Sequence, residues 1–439
     1  MISLRTLGVY LSPRLHSADR RAGILGGRHL GEGGGSMVDA PEALPFGKRL
    51  KRHRERVGMS RPVLGGLVGK SADWVKSVET GRLHIPRLPV LLQLAQVLNI
   101  ADLADLVGDE RITTATFGKA SHPSLPAIAD ELARHPLRPV DGPADVPVLT
   151  ARVEQAWGLW HGSRSHRSVI ATLLPDLLRE ARATVLRSAG HDRRKASVAL
   201  AQTYHLAQLY LSFQPSPDLV TLTGDRAMMA AQDADAPVAI AAAAWYVNHV
   251  FRDAGQAAEA RTQLAHDAIS LLTPEREADR ALWGLLHLAI ALSHAKIGQE
   301  GQAWHHWDKA DEAVNALPGN YVHPWLMFGR AMVDTYAITI LVDLMRGGEA
   351  ARRADQVDLG GMPSATRRSY LYLETARAYH QSHENVAVMH LLGRAHDEAS
   401  ETARYNLFAR ATVADLASQG GGIVRRDAVA LADTMGVNI

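Results

Sequence analysis

Apolar positions recur at helical spacing from residue 45 to the end of the chain. The first such stretch is a basic helix with Phe46, Leu50 and Val57 as its inward stripe, ended by Gly58. Ser60 is placed to cap a second helix, and Pro62 sits in its first turn, where no hydrogen bond is lost. Leu64, Leu67 and Val68 give that helix an apolar face, and Gly69 stops it. Ser71 is placed to cap a third helix over 72–80, with Val75 and Val78 inward and Gly81 as its stop. Pro89 opens a fourth helix over 90–98, and 101–107 make a short fifth. A tight turn between the second and third of these is a helix-turn-helix layout.

Six prolines fall within 109–147, where only 125–133 keeps a helical pattern; 135–147 reads as a semi-rigid linker. From 148 to 436 the pattern is a succession of Ala/Leu-rich helices in pairs: 197–211 with 219–232, 237–252 with 256–271, 278–296 with 302–315, 325–346 with 349–357, and 365–381 with 385–401. Turn residues at Gly255, Gly298, Gly347 and Ser382 are spaced by 43, 49 and 35 residues, irregular about the tetratricopeptide period of about 34. Small residues such as Ala241 to Ala244, Ala260, Ala289 and Ala378 suit close helix approach. The expected fold is therefore all-α, a five-helix module followed by an α-solenoid of helix pairs, with a plain helical bundle as the alternative. The boundaries expected are 1–44 as a disordered leader, 45–108 as the helix-turn-helix module, 109–147 as linker and 148–439 as the helical body.

The leader ends in Gly31-Glu32-Gly33-Gly34-Gly35-Ser36-Met37. Such a stretch is encoded by purine-rich DNA resembling a ribosome-binding site before an ATG, so Met37 is the expected native start; a flexible arm whose arginines touch phosphate is the alternative.

Charge sharpens the division. The whole chain carries +2, yet residues 45–108 hold eleven Lys/Arg against five acids. A basic module on a mildly acidic body points to a polyanionic partner. The longest wholly apolar run, 236–247, is too short to span a bilayer, which needs about 20 residues. No cysteine is present, which excludes disulfides and thiolate chemistry and fits a cytoplasmic location. Phosphate-loop, dinucleotide, zincin and nucleophile-elbow motifs are absent, so no enzyme and no cofactor are expected. Trp304-His305-His306-Trp307 is the densest histidine knot, but adjacent helical residues diverge, so packing is favoured over metal binding, as it is for His383 and His390.

The order Met59 to Gly69, then Ser71-Ala72-Asp73-Trp74-Val75-Lys76-Ser77-Val78-Glu79-Thr80-Gly81-Arg82, resembles the XRE-type, lambda-repressor-like family of phage repressors and bacterial regulators. The resemblance implies double-stranded DNA as partner, read in the major groove. It matches Ala72, Asp73, Lys76 and Ser77 to base-facing positions, and Ser71, Trp74 and Arg82 to positions that meet phosphate or sugar. Lys76 suits guanine and Asp73 a cytosine amino group. Glu79 is read as an internal ion-pair or hydrogen-bonding residue. Two departures stand out. Arg61 replaces the usual Gln and is expected to contact phosphate or guanine, and Gly65-Gly66 replaces the usual Ala, each mid-helix Gly costing about 1 kcal/mol.

The body is similar to actinobacterial XRE-type regulators with tetratricopeptide-like C-terminal domains, through Trp157 to His161, Leu173 to Leu178, Ala201 to Ala207 and Arg425 to Val437. That resemblance implies a transcriptional regulator. Homodimerisation is expected because one helix-turn-helix reads only a half-site, with a small molecule, peptide or protein partner bound by the body. Candidate sensor residues are Trp157, Trp160 and His161 at the mouth of a groove, Asn248 for a peptide backbone, and Trp325 with Arg330 for an aromatic wall and a cation. The competing reading is a protein-interaction scaffold whose module docks protein and has no specific operator.

Overall fold

A computed structural model describes residues 44–100, 102–108, 119–136, 145–251 and 258–439. The leader and the Met37 start lie outside the described residues, which contain helices and no strand. The N-terminal module is built of α1 (Phe46–Arg56), α2 (Arg61–Leu67), α3 (Ala72–Glu79), α4 (Leu88–Val97) and α5 (Leu103–Val107). Local chemistry sets these ends. The Ser60 hydroxyl accepts from Val63 N, Ser71 Oγ accepts from Trp74 N at 3.0 Å, and Gly58, Gly69 and Gly81 adopt the left-handed conformation that ends each helix. Phe46, Leu50, Leu64, Val75, Val78, Leu91, Leu94 and Leu106 form one core.

Leu67 is 58% exposed, contrary to the inward face expected of it. In a helix of seven residues, Leu64 and Val68 fix the inward side, and Gly65, not Leu67, completes it. A Cβ on Gly65 would stand 2.7 Å from Lys70 O in the turn, whereas one on Gly66 meets open space. The paired glycines thus separate into a required and a dispensable one. Gly66→Ala is expected to stabilise the module by about 0.5–1 kcal/mol. Gly65→Ala is expected to destabilise it by about 1–3 kcal/mol. Denaturant titration of both variants checks this; equal effects would refute the assignment.

The body begins earlier than the linker pattern suggests. Helix α6 (Leu125–Ala133) buries Leu125, Ile128 and Leu132 in the main body core, and Arg182 Nη1 donates to Glu131 O at 2.8 Å. Then follow α7 (Val146–Gly162), α8 (His166–Arg187), α9 (Gly190–Leu211), α10 (Pro217–Asp233), α11 (Pro237–Phe251), α12 (Ala258–Ser270), α13 (Glu277–Lys296) and α14 (Glu300–Asn315). The chain continues through α15 (Arg330–Asp343), α16 (Gly347–Ala354), α17 (Ala365–His380), α18 (Asn385–Glu398), α19 (Ser400–Tyr405), α20 (Leu407–Gln419) and α21 (Gly422–Met435). Consecutive helices pack as pairs, and small residues allow it: a Cβ on Gly284 of α13 would reach 2.8 Å from Ala313 Cβ on α14. Ala241 to Ala244, Ala289 and Ala378 are buried, but Ala260 is exposed.

The succession of pairs curls back on itself. Helix α17 packs on α7, where His161 Nδ1 lies 2.9 Å from Ser364 Oγ. Glu401 of α19 accepts from the backbone N–H of Arg167 and Ser168, so a carboxylate from far along the chain caps the start of α8. The fourth pair is shorter than its apolar pattern. Residues 323–328 close a tight loop through Met327 N to His323 O and His323 N to Phe328 O, with Met327 at φ +61°, and only at Arg330 does the helix start. Among the described residues no helix is long and apolar enough to cross a membrane.

Candidate nucleic-acid interface

Helix α3 presents Asp73, Lys76 and Thr80 to solvent, with Ala72 and Trp74 half-buried. Val75 and Val78 anchor its other side at 0% and 1% exposure. Asp73 lies in the first turn, where a carboxylate suits the positive end of the helix dipole. Lys51 of α1 and Ser60, Arg61 and Pro62 at the start of α2 share a shallow groove with Ala72, Asp73 and Lys76. Lys48, Arg52 and Arg56 of α1 are also exposed, and Arg82 is exposed just beyond α3. Glu55 also lines the groove, 3.8 Å from Lys51 Nζ, yet cations outnumber acids on this open face, with Asp73 and Lys76 a single helical turn apart on α3.

Beneath this face lies a buried charge knot. The Glu79 carboxylate accepts from Arg54 Nε at 2.5 Å, Arg54 Nη2 at 3.2 Å and Arg61 Nε at 2.7 Å, while Arg54 Nη1 donates to Met59 O. Hydrogen bonding to Glu79 raises the Arg54 pKa. The knot joins α1, α2 and α3, so it sets the angle at which α3 is offered. Arg61 is thereby part of the scaffold, with one edge of its guanidinium engaged and the rest in the groove.

Residues 45–106 match the family model of a helix-turn-helix domain. The module is a helix-turn-helix DNA-binding domain. No curated protein matches the chain. Within this helix-turn-helix domain, Ser77 stands apart from the other residues picked from the sequence: it is buried, and its carbonyl accepts from Arg82 N and Leu83 N, so it braces the turn after α3 instead of joining the exposed stripe. Thr80 occupies that stripe, one turn beyond Lys76, with its hydroxyl on Lys76 O at 2.9 Å. The i, i+4 spacing from Lys76 is the signal that would have found it.

Among the described residues, the domain touches the body around His84 and Ser71. His84 Nε2 lies 3.1 Å from Thr412 Oγ1, and its ring stacks on His380 at 4.4 Å. Burial pushes the His84 pKa down to about 4. The cap of α3 touches the body too, since a Cβ on Gly298 would come within 2.5 Å of Ser71 Cβ.

The sensor residues picked from the sequence fall inside the body. Trp157, Trp160 and His161 are buried, not at a groove mouth: Trp157 packs on Tyr246 and Trp325, Trp160 on His166 and Arg167, and His161 meets Ser364. Trp157 and Trp325 have ring centroids 5.0 Å apart, and His205, Tyr246 and Trp325 stack in one aromatic cluster. His161 is held between Ser364 Oγ and Trp325 O, and burial lowers its pKa to about 4. Asn248 donates its amide to Ala244 O and Arg261 O within its own helix pair. Arg330 pairs with Asp311 and Asp334, so its charge is matched and it offers no cation to a ligand.

Proposed function

We infer that this chain is a sequence-specific DNA-binding transcriptional regulator that acts as a homodimer in the cytoplasm, with the helical body as its sensing and dimerising part. One observation carries the reading: the exposed stripe of Asp73 and Lys76 on a capped, braced helix, flanked by Lys51 and Arg61 in one cationic groove. A helix of this kind fits the major groove, with Lys76 toward guanine and Asp73 toward a cytosine amino group. Arg82 and the exposed cations of α1 are the phosphate contacts. The tetratricopeptide-like character of the body and its actinobacterial kinship rest on the sequence resemblance.

The deciding experiment is selection of bound DNA from a random pool by the purified chain at about 150 mM salt. A two-fold symmetric motif with half-sites roughly one helical turn apart is expected. No enriched motif would favour the interaction scaffold. Lys76→Ala is expected to weaken the selected site by about 1–3 kcal/mol and to relax one base step. Arg82→Ala is expected to weaken all sequences alike and lower the salt slope by about 1. Unchanged affinity of Lys76→Ala would overturn this docking.

A further inference from the structure

Arg367 stands in the first turn of α17 and lines a cavity between α15, α17 and the 323–328 loop. Its guanidinium makes one hydrogen bond, from Nη1 to the Tyr336 hydroxyl at 3.1 Å. Among the described residues no carboxylate pairs with it. Its neighbour Arg368 is matched by Glu398, and Arg377 on the same helix by Asp343 and Glu374. A cation in the N-terminal turn also lies at the end of the helix where positive charge is disfavoured. The site is thus electrostatically incomplete.

Much of the remaining lining is apolar, with Val322, Met327, Met332, Met362, Pro363 and the ring of Tyr336, and the Tyr370 hydroxyl beside it is engaged by Thr339 Oγ1 at 3.1 Å. The Ser364 hydroxyl is engaged by His161 and Thr366, and that of Thr335 by Ala331 O. The enclosed space is about 20 Å³, enough for water or the head of a small anion. Three methionines border it, and unbranched thioether chains rearrange readily to admit more. Met327 is held at φ +61°, a left-handed conformation that L residues rarely adopt, so the loop over the cavity carries backbone strain.

The geometry points to this cavity as the effector site of the body, taking an organic monocarboxylate whose carboxylate pairs with Arg367 and whose aliphatic chain lies among Met327, Met332 and Met362. A planar guanidinium with open donors selects a carboxylate, and the methionine walls select an apolar tail. The same helix carries the consequence outward: α17 ends at His380, whose ring stacks on His84 of the DNA-binding domain. Only this last step rests on the reading of the chain as a DNA-binding regulator.

The test is calorimetric titration of the full chain, without DNA, by acetate, hexanoate and methyl hexanoate. Hexanoate is expected to bind more tightly than acetate, and the uncharged ester at least about tenfold more weakly than hexanoate. Arg367→Met is expected to lose at least about tenfold in hexanoate affinity with an unchanged melting curve, and Arg367→Lys, which keeps the charge but not the fork, to lose less. If Arg367→Met fails to fold, Arg367→Lys and the ester still decide. Equal binding of acid and ester, equal binding of acetate and hexanoate, or full hexanoate affinity in Arg367→Met would overturn the site. Binding that passes these tests while no DNA motif is ever selected would keep the site and remove the regulator reading.

Discussion

Lowering the pH from 7 to 5 is expected to destabilise the helical body strongly. Five of the buried histidines, His161, His205, His287, His306 and His323, have their pKa values held down by burial to about 4, 3, 3, 4 and 4. In the unfolded chain each returns to about 6.5. Between those limits the unfolded state binds more protons, so stability falls as the pH falls through the window from about 6.5 to about 4. Each site loses about 1–2 kcal/mol between pH 7 and 5, so five lose about 5–10, comparable to the 5–15 kcal/mol of a typical folded protein.

One cluster concentrates the effect. His306 Nδ1 lies 2.9 Å from His287 Nδ1, and the rings of His266, His294 and His305 stand 5.6, 5.8 and 5.2 Å from that of His306. A first proton there raises the cost of every later one. The melting temperature followed by circular dichroism should drop by more than about 10 °C from pH 7 to 5. His306→Phe should flatten part of that slope. A melting temperature constant across this range would contradict the account. The His84–His380 stack lies in the same range, with both pKa values near 4, so acid also loosens the contact between DNA-binding domain and body.

What the amino-acid order revealed follows from the range of the interactions involved. The DNA-binding domain was legible because its helices begin and end on local chemistry: Ser60 and Ser71 cap within three residues, and Gly58, Gly69 and Gly81 need no distant partner to turn the chain. The stripe of Asp73 and Lys76 was legible from helical spacing, whereas the inward rotation of Ser77 depends on the turn that Arg82 N and Leu83 N close on its carbonyl. In the body the helices were legible and their closure was not. Nothing near His161 in sequence shows that Ser364 arrives beside it, 203 residues later. The same blindness exchanged Arg330 for Arg367. Both are arginines beside aromatic residues, and only the fold shows that Asp311 and Asp334 neutralise the first while the second meets the Tyr336 hydroxyl and, among the described residues, no carboxylate.

Glu79→Gln is expected to unfold the DNA-binding domain while leaving the body folded. The Glu79 side chain is 1% exposed and Arg54 is 8% exposed, so neither ion has water to fall back on. Removing the carboxylate charge leaves the buried guanidinium only the half-exposed Glu55 carboxylate, 3.5 Å from its Nη2, so most of the cost of about 3–5 kcal/mol for breaking a buried pair remains. A domain of some 60 residues has about 3–9 kcal/mol in all. The neutral amide keeps the shape but offers one acceptor where three N–H groups now converge, so size alone does not rescue it. Arg61 is half-buried and can turn to water, so Arg54 decides the outcome. Hydrogen exchange by mass spectrometry separates the parts: peptides from 46–107 should lose protection in Glu79→Gln, peptides from 146–435 should not, and DNA affinity should vanish. The double variant Arg54→Met/Glu79→Met is expected to regain much of the protection, because an apolar pair of similar volume replaces the buried ions without an uncompensated charge. Protection retained in Glu79→Gln would mean that the knot orients Arg61 toward the groove and contributes nothing to holding α1 against α3.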